Sequence, residues 1–580
     1  VSLWNYVSVR QDVFDRALDE KVAPSLSEVV FGKAHKIYAD PQEFIKITHL
    51  ADTVKRLVNE VIDAFATGTG KVIVLPSTFG GGKTHTMILL YHLAKRPELL
   101  SRVLGEQASS RLRALKDLEV VVIDGFDKRT APSPLPDEAL KGGGVEIKTL
   151  WGYLAHKLGV YKKVQRYDEM LTSPEKMSLS EIFAEKKVLI LIDELGPYYN
   201  RLVSVPHPEK AKVFERYAEQ VVFFLRVLSE SVGGHSVVVI LSIPAEPAEE
   251  KLKAELGYEN FIGRIEREVL RQAIRAEKPI ATDEDFASVL KKRLFERIDP
   301  TGSQLASRRL ASLFTENPSL VKDVHDEVEK FYPFHPLFIT ALRELVEKNK
   351  DLQKTRDALR IARKVVRGLY EKVRGPLLIM PTDMDPRLEE IRAKVITEKF
   401  LAFDLVLNKI INKVKEIPVE GGVNPDVYRD LAYRLALYIF LRTYVYDPHL
   451  EPRSEFPSKS EVITGVYDPM RYEQHFISPV MLSELLDKLS SGGIEHRVPH
   501  LYGREGYYWV TRLLDIRERV EKEAEKVEDL NAINHVLEEI KELYTRPYEG
   551  REQVKPSIFS QRPLILLRPE LLESDSPEYT

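Results

Sequence analysis

Along its first 280 residues the chain alternates short, continuously apolar runs with segments whose apolar residues recur at helical spacing. The runs are Val72-Ile73-Val74-Leu75, Val120-Val121-Val122-Ile123, Val188-Leu189-Ile190-Leu191-Ile192 and Val237-Val238-Val239-Ile240-Leu241. A parallel strand covered by helices on both faces has no solvent side, so it reads as an unbroken apolar stretch. The alternation predicts an α/β core built on a parallel sheet over residues 1–280, with an N-terminal extension and a fifth strand near Ala276 to Ala281. Beyond residue 280 the pattern changes. Asp285 to Arg297, Pro336 to Asn349 and Thr355 to Arg374 carry helical spacing without comparable strand runs, which predicts a helical lid over 281–375. Residues 376–460, punctuated by Pro376, Pro381, Pro386 and Gly421-Gly422, predict a further helical domain. Between 461 and 520 a helix from Ser478 to Leu489 precedes a hairpin from Arg497 to Val510, turning at Gly503-Arg504-Glu505-Gly506; this is a winged-helix-like outline. A charged helix from Leu514 to Tyr544 and a Pro-rich tail from Pro556 carry the chain to residue 580.

Composition narrows the classes. With 43% hydrophobic residues over 580 positions the chain can bury several cores, and 30% charged residues exceeds the usual quarter. A net charge of -4 offers no global attraction to nucleic acid, so any such binding needs a local patch. The absence of cysteine removes disulfides, thiolate zinc sites and cysteine nucleophiles together, and it suits an intracellular protein. Dense charge without cysteine also suits a thermophile. Val1-Ser2-Leu3-Trp4-Asn5-Tyr6 lacks the basic and apolar regions of a secretory leader, and no apolar window approaches membrane-spanning length. The expectation is a soluble, cytoplasmic protein.

The clearest chemical signal is Ser77-Thr78-Phe79-Gly80-Gly81-Gly82-Lys83-Thr84, placed after the first apolar run and before a helix from Thr86 to Ala94. Glycines let several backbone N–H groups turn into one concavity, and the following helix N-terminus adds its dipole, so the loop suits phosphate. In such a P-loop Lys83 reaches the β- and γ-phosphates and the Thr84 hydroxyl ligates Mg2+. Ser77 stands where the pattern has a glycine, at a position that closes the turn. About 110 residues downstream, the third run ends in Asp193-Glu194. Acidic residues at the carboxyl end of a buried strand lie where an open α/β sheet binds its ligand. Asp193 is expected to hold Mg2+ and Glu194 to orient or deprotonate the attacking water.

Together the motifs resemble the AAA+ class of ATPases. That resemblance implies that Ser242, at the end of the fourth run, senses the γ-phosphate. It implies an arginine finger, donated to a neighbouring subunit, among Arg264, Arg267 and Arg271; the sequence leaves open which one. It also implies a second sensor, Arg356, in Gln353-Lys354-Thr355-Arg356 at the start of a lid helix. More narrowly, Gly80-Gly81-Gly82-Lys83-Thr84-His85-Thr86 with Tyr91-His92-Leu93-Ala94 resembles the AAA+-type ATPases catalogued as domain of unknown function family 499. Tyr38-Ala39-Asp40-Pro41 with Phe44 and Thr48, Thr149-Leu150-Trp151-Gly152, Ile192-Asp193-Glu194 with Tyr198, and Tyr332-Pro333-Phe334-His335-Pro336 ahead of Thr355-Arg356 resemble it too. The likeness spans about residues 30 to 390 and carries His85 into the nucleotide-binding stretch.

The resemblance implies ATP and Mg2+ as ligands and a homo-oligomer as the working form. Such ATPases are often encoded beside DNA methyltransferases and other defence components, which implies a DNA-linked partner and no membrane. ATP turnover is then expected to move the lid and C-terminal modules against DNA or a DNA-bound protein. Two alternatives remain: a slow, nucleotide-gated switch or scaffold, and a ring-type DNA translocase or helicase. In the winged-helix-like segment Arg497, His500, Arg504 and Arg512 make a basic wing, while Glu484, Asp487 and Glu495 repel phosphate. A DNA-binding wing and a protein-docking module both fit it. Tyr502, Tyr507, Tyr508 and Trp509 are expected to fill the hairpin's core.

Overall fold

The computed structural model describes residues 2–75, 82–142, 144–203, 208–242, 261–372, 375–447, 451–513 and 528–545. The chain divides into two compact units, Val1–Asp447 with Pro452–Val510, and Pro448–Glu451 with Thr511–Thr580.

In the first unit five strands form one parallel sheet: β1 (Lys71–Leu75), β2 (Leu118–Asp124), β3 (Lys187–Asp193), β4 (Val237–Ser242) and β5 (Ile274–Arg275). Their spatial order is β2-β3-β4-β1-β5. The apolar runs are strands, as their pattern predicts, and each divides its residues between two layers. Val72, Val74, Val121, Ile123, Val188, Ile190, Ile192, Val237, Val239 and Leu241 enter one core. Ile73, Leu75, Val122, Leu189, Leu191, Val238 and Ile240 enter the other. Side chains alternate along a strand, so two covered faces require an apolar residue at every position. Helices α1 (Asp52–Thr67) and α2 (Lys83–Lys95) cover the second face, and α3 (Pro208–Ser231) covers the first. Helix α1 stops at Gly68, whose φ of 68° places it in the left-handed region that glycine enters without a Cβ clash.

The fifth strand lies earlier than the sequence suggests. It occupies Ile274–Arg275, and beyond it only the Ala276 N–H still reaches the Val74 carbonyl, at 2.9 Å. Among the described residues no pairing with β1 follows it, so the expected strand over Ala276 to Ala281 is not formed.

After β5 come the helices α4 (Asp283–Leu294), α5 (Pro336–Lys348), α6 (Thr355–Tyr370), α7 (Pro425–Thr443) and α8 (Pro479–Ser491). Helix α4 starts with a reciprocal cap, the Thr282 hydroxyl accepting the Asp285 N–H while Asp285 accepts the Thr282 N–H. It ends before the expected Arg297, because Phe295–Ile298 is a strand paired antiparallel with Val7–Val9. The partner comes from the chain's beginning, which local periodicity does not reveal. One apolar core runs from Leu3, Val7 and Val13 through α4 to α8 and on to Val510. The start of the chain therefore packs on the helical block that follows the sheet.

Helix α8 begins at the Ser478 cap, and a hairpin of Leu501–Arg504 with Tyr507–Val510 follows it. Tyr502, Tyr508 and Trp509 are buried, as expected of a hairpin core, with Phe456 against Tyr502 and Trp509. In the second unit the described helix is Asp529–Thr545; residues 514–527 and the Pro-rich tail lie outside the described residues. Among the described residues no helix is long and apolar enough to cross a membrane.

Candidate functional site

Strands β1 and β4 are neighbours, yet the chain leaves them in opposite directions, from β1 to β2 at one edge and from β4 to β5 at the other. Open α/β sheets bind ligands outside the carboxyl ends of strands where connections diverge in this way. Leu75 and Ser242 face each other across the register at that point. Ser77, Thr78, Phe79, Gly80 and Gly81 lie outside the described residues. The description resumes at Gly82, whose φ of 92° is left-handed and whose absent Cβ would stand 3.2 Å from the Pro279 Cβ. Helix α2 starts on the next residue with no side chain capping its first turn, and Thr84 in that turn reaches Asp193 at the carboxyl end of β3, so the helix N-terminus lies at that end of the sheet.

The side chains converge on Asp193, which is buried at the end of β3. Thr84 Oγ1 donates to Asp193 Oδ2 at 2.7 Å. Ser242 Oγ donates to Asp193 Oδ1, and the Glu194 N–H donates to the same oxygen at 3.0 Å. One carboxylate thus ties α2, β3 and β4 together. Glu194 stands beside it, half-buried. Burial raises the Glu194 pKa, the Asp193 charge raises it further, and Lys83 and Arg356 pull it back, leaving it at about 7. Burial lowers the Lys83 pKa, Asp193 and Glu194 oppose that shift, and Arg356 adds to it. Lys83, Asp193, Glu194 and Arg356 therefore act on one another within one pocket of charge.

The backbone beneath Glu194 is equally constrained. Glu194 has a φ of 56°, in the region that a side chain rarely adopts. The Gly125 N–H donates to the Asp193 carbonyl at 3.0 Å, and a Cβ on Gly125 would stand 1.9 Å from the Glu194 carbonyl oxygen. Only glycine allows β2 to end so close. Its neighbour Asp124, opposite Asp193 in the register, is a second buried carboxylate at the carboxyl ends of the strands. It accepts the Ser27 N–H at 2.9 Å and the Phe126 N–H at 3.1 Å, and burial raises its pKa. The sequence carried the signal for it, an acid closing the run Val120 to Ile123.

Several expected site residues are engaged differently. The Ser242 hydroxyl is spent on Asp193. The His85 ring packs on Phe44 with centroids 4.4 Å apart and bonds to Thr48 Oγ1 at 2.9 Å, so its side chain is a packing element; burial pushes its pKa down to about 3. Arg264 is paired to Glu268 at 3.0 Å on its own helix, and Arg267 lies over Gly263. Arg271 is exposed. Arg356 opens α6 as expected, and its charge reaches Lys83 and Glu194. Among the described residues its guanidinium has no ion-pair partner. The basic wing is weaker than the sequence suggests. His500 is buried with Lys409 at 3.4 Å, and Arg504 lies beside Glu505 at 3.6 Å. On α8 Lys488 pairs with Glu420, and Asp487 pairs with Lys459. Arg497 is half-buried and Arg512 belongs to the second unit.

A threonine hydroxyl and an aspartate beside a lysine form the hard-oxygen set that a hydrated Mg2+ takes when phosphates supply the remaining ligands. Among the described residues no group of three His, Asp or Glu side chains could hold a metal alone.

A family model described as the DUF499 N-terminal domain matches residues 1–276, and one described as the DUF499 second domain matches residues 281–510. No curated protein matches the chain. Among solved structures, a chain from the structure of Drosophila ORC bound to AT-rich DNA and Cdc6 aligns over 81% of this chain and 69% of its own. That alignment has 13% identity and a TM-score of 0.20, too loose to bear on either fold or function.

Proposed function

The chain belongs to the DUF499 family, and on that premise and the geometry of the site we propose that it is a Mg2+-dependent ATPase of the AAA+ type. The observation that carries the reading is the 2.7 Å bond between Thr84 and Asp193, with Lys83 and Glu194 in the same pocket of charge. Each chemical role then has an occupant. Gly82 and the N-terminus of α2 receive the phosphates, and Lys83 neutralises the β- and γ-oxygens. Thr84 and Asp193 hold Mg2+, which when bound supplies positive charge to the transferred phosphoryl group. Glu194 accepts a proton from the attacking water, a task suited to a carboxylate whose pKa has been raised toward neutrality. Ser242 fixes the Asp193 rotamer, and Arg356 brings a second positive charge from the helical block.

The working form in this reading is a homo-oligomer, with the finger among Arg264, Arg267 and Arg271. Turnover moves the helical block against DNA or a DNA-associated partner, a target that rests on the family resemblance. The deciding experiment is phosphate release from Mg-ATP by size-defined oligomer fractions, with and without duplex and single-stranded DNA. Wild-type protein is expected to turn over ATP, Lys83→Ala to lose nucleotide binding, and Glu194→Gln to bind without turnover. Equal turnover in Glu194→Gln and wild type would overturn the assignment.

A further inference from the structure

Helix α6 carries Arg356, Arg360, Arg363 and Arg367, at positions i, i+4, i+7 and i+11, which form one stripe along the helix. The charge of the stripe's first member reaches Lys83 and Glu194. The other three are held by the chain's N-terminal segment, and one residue of that segment, Asp19, binds all three. Its carbonyl accepts Arg360 Nε at 3.0 Å, and its Oδ1 accepts Arg363 Nε at 2.8 Å. Arg367 grips both carboxylate oxygens, Oδ1 at 2.9 Å and Oδ2 at 2.5 Å. Neighbouring carbonyls complete the clamp: Asp12 and Asp15 accept from Arg363, Val13 from Arg367, and Glu20 from Arg360.

This clamp lies in the interior. The side chains of Arg363, Arg367 and Asp19 are 3%, 6% and 8% exposed. Burial alone would raise the Asp19 pKa, but hydrogen bonds and charge from Arg367 and Arg363 outweigh it and keep the carboxylate ionised. Buried ion pairs are a costly way to gain stability, because desolvation cancels most of their attraction. What they impose is geometry. An apolar contact lets a helix rotate or slide, whereas a guanidinium fork on a fixed carboxylate sets both its azimuth and its axial register. The opposite face of α6, with Ala358, Ile361, Ala362 and Val365, sits in the common apolar core. At the leading end Lys354, with a φ of 48°, delivers the chain into the first turn just before Arg356.

We propose that Asp19 is a positioning residue for the ATPase reaction: by fixing the register of α6 through three arginines, it holds Arg356 against the phosphate site. The N-terminal segment and the sheet's active edge are thereby joined through one rigid helix. This inference rests on the proposed ATPase function.

The test is a double-mutant cycle on ATP turnover by the full chain, comparing wild type, Asp19→Asn, Arg356→Ala and the double variant. Asp19→Asn is expected to lower kcat about tenfold, with KM for ATP changed less than about threefold, since a helix misplaced by a fraction of an ångström costs rate at fixed binding. In the Arg356→Ala background the same substitution is expected to change kcat by less than about twofold, because its target is gone. A double variant slower than Arg356→Ala by the full Asp19→Asn factor overturns the proposal, as does wild-type kcat in Asp19→Asn. If Asp19→Asn fails to fold, Arg360→Gln, at the rim of the clamp, enters the same cycle with the same outcomes. Absence of turnover in wild type would instead refute the ATPase reading itself, and the two failures are distinguishable.

Discussion

Replacing Glu194 by glutamine separates the chemistry of this carboxylate from its burial, because the amide keeps the shape and loses the charge. Burial and Asp193 raise its pKa from 4.5 to about 7 against the pull of Lys83 and Arg356. A raised folded-state pKa means that the native protein holds this proton more tightly than the unfolded chain. The resulting stabilisation is complete below pH 4.5 and is lost as pH rises through about 7. Two and a half units at ~1.36 kcal/mol each amount to roughly 3 kcal/mol. Solvent at the half-buried carboxylate screens part of this, leaving about 2 kcal/mol. The amide never ionises, so nucleotide-free Glu194→Gln is expected to match wild type near pH 4 and exceed it by about 2 kcal/mol at pH 8. In a unit of this size that is about 2–5 °C in the melting temperature.

Turnover moves the other way. Loss of the base is expected to cut kcat by about 10²- to 10⁴-fold while Mg-ATP binding persists. In wild type the rate is expected to fall on the acid side of about pH 7, as the carboxylate takes up its proton. A divalent cation on Asp193 offsets that group's repulsion, so in the loaded enzyme the acid limb lies at or below this pH. Thermal melts at pH 4 and pH 8, beside phosphate release across the neutral range, test both halves. No gain in stability at pH 8 would show that Glu194 is solvated, and undiminished turnover would show that it is not the base.

Lys83→Ala is expected to weaken Mg-ATP binding about 100-fold, read by titration with a fluorescent nucleotide; wild-type affinity would remove the lysine from the phosphate site. Ser242→Ala removes one of the two donors to Asp193 Oδ1, and kcat is expected to fall about tenfold with nucleotide affinity within about twofold. Gly125→Ala forces a Cβ to within 1.9 Å of the Glu194 carbonyl oxygen. It is expected to cost at least about 2 kcal/mol in stability and to abolish turnover together with Glu194 geometry, which a melt and a rate measurement report jointly.

How much of this was legible in the chain depends on whether the signal is local. The sheet was readable because two covered faces leave an imprint at every position of a strand. The acid at the tip of β3 was readable because it follows such a run. The same grammar wrote Asp124 at the tip of β2, and reading alone does not separate the two. What separates them is what faces each carboxylate. Asp193 meets the hydroxyls of Thr84 and Ser242, whereas Asp124 meets the backbone N–H groups of Ser27 and Phe126. His85 shows the same limit. It follows Lys83-Thr84 directly, yet a helix turns successive residues by about 100°, and the ring meets Phe44 and Thr48.

The arginine stripe on α6 carries that argument furthest. Basic residues recurring at i, i+4, i+7 and i+11 along a helix ordinarily signify a solvated face. Here the later part of that face is covered by the chain's first twenty residues, and the spacing that suggests exposure instead brings Arg363 and Arg367 to one carboxylate, that of Asp19, and Arg360 to its carbonyl. The strand Phe295–Ile298 was misread for the same reason, since its partner Val7–Val9 comes from the same N-terminal segment. The strand and the arginine stripe point to one physical cause. The N-terminal segment is short of regular structure and strong local pattern, yet it supplies a strand to the helical block, apolar residues to its core and the carboxylate that fixes α6. A segment with so little local signal is held by what it contacts. Its conformation and that of α6 are therefore set together, and a change in either has to be accommodated by the other.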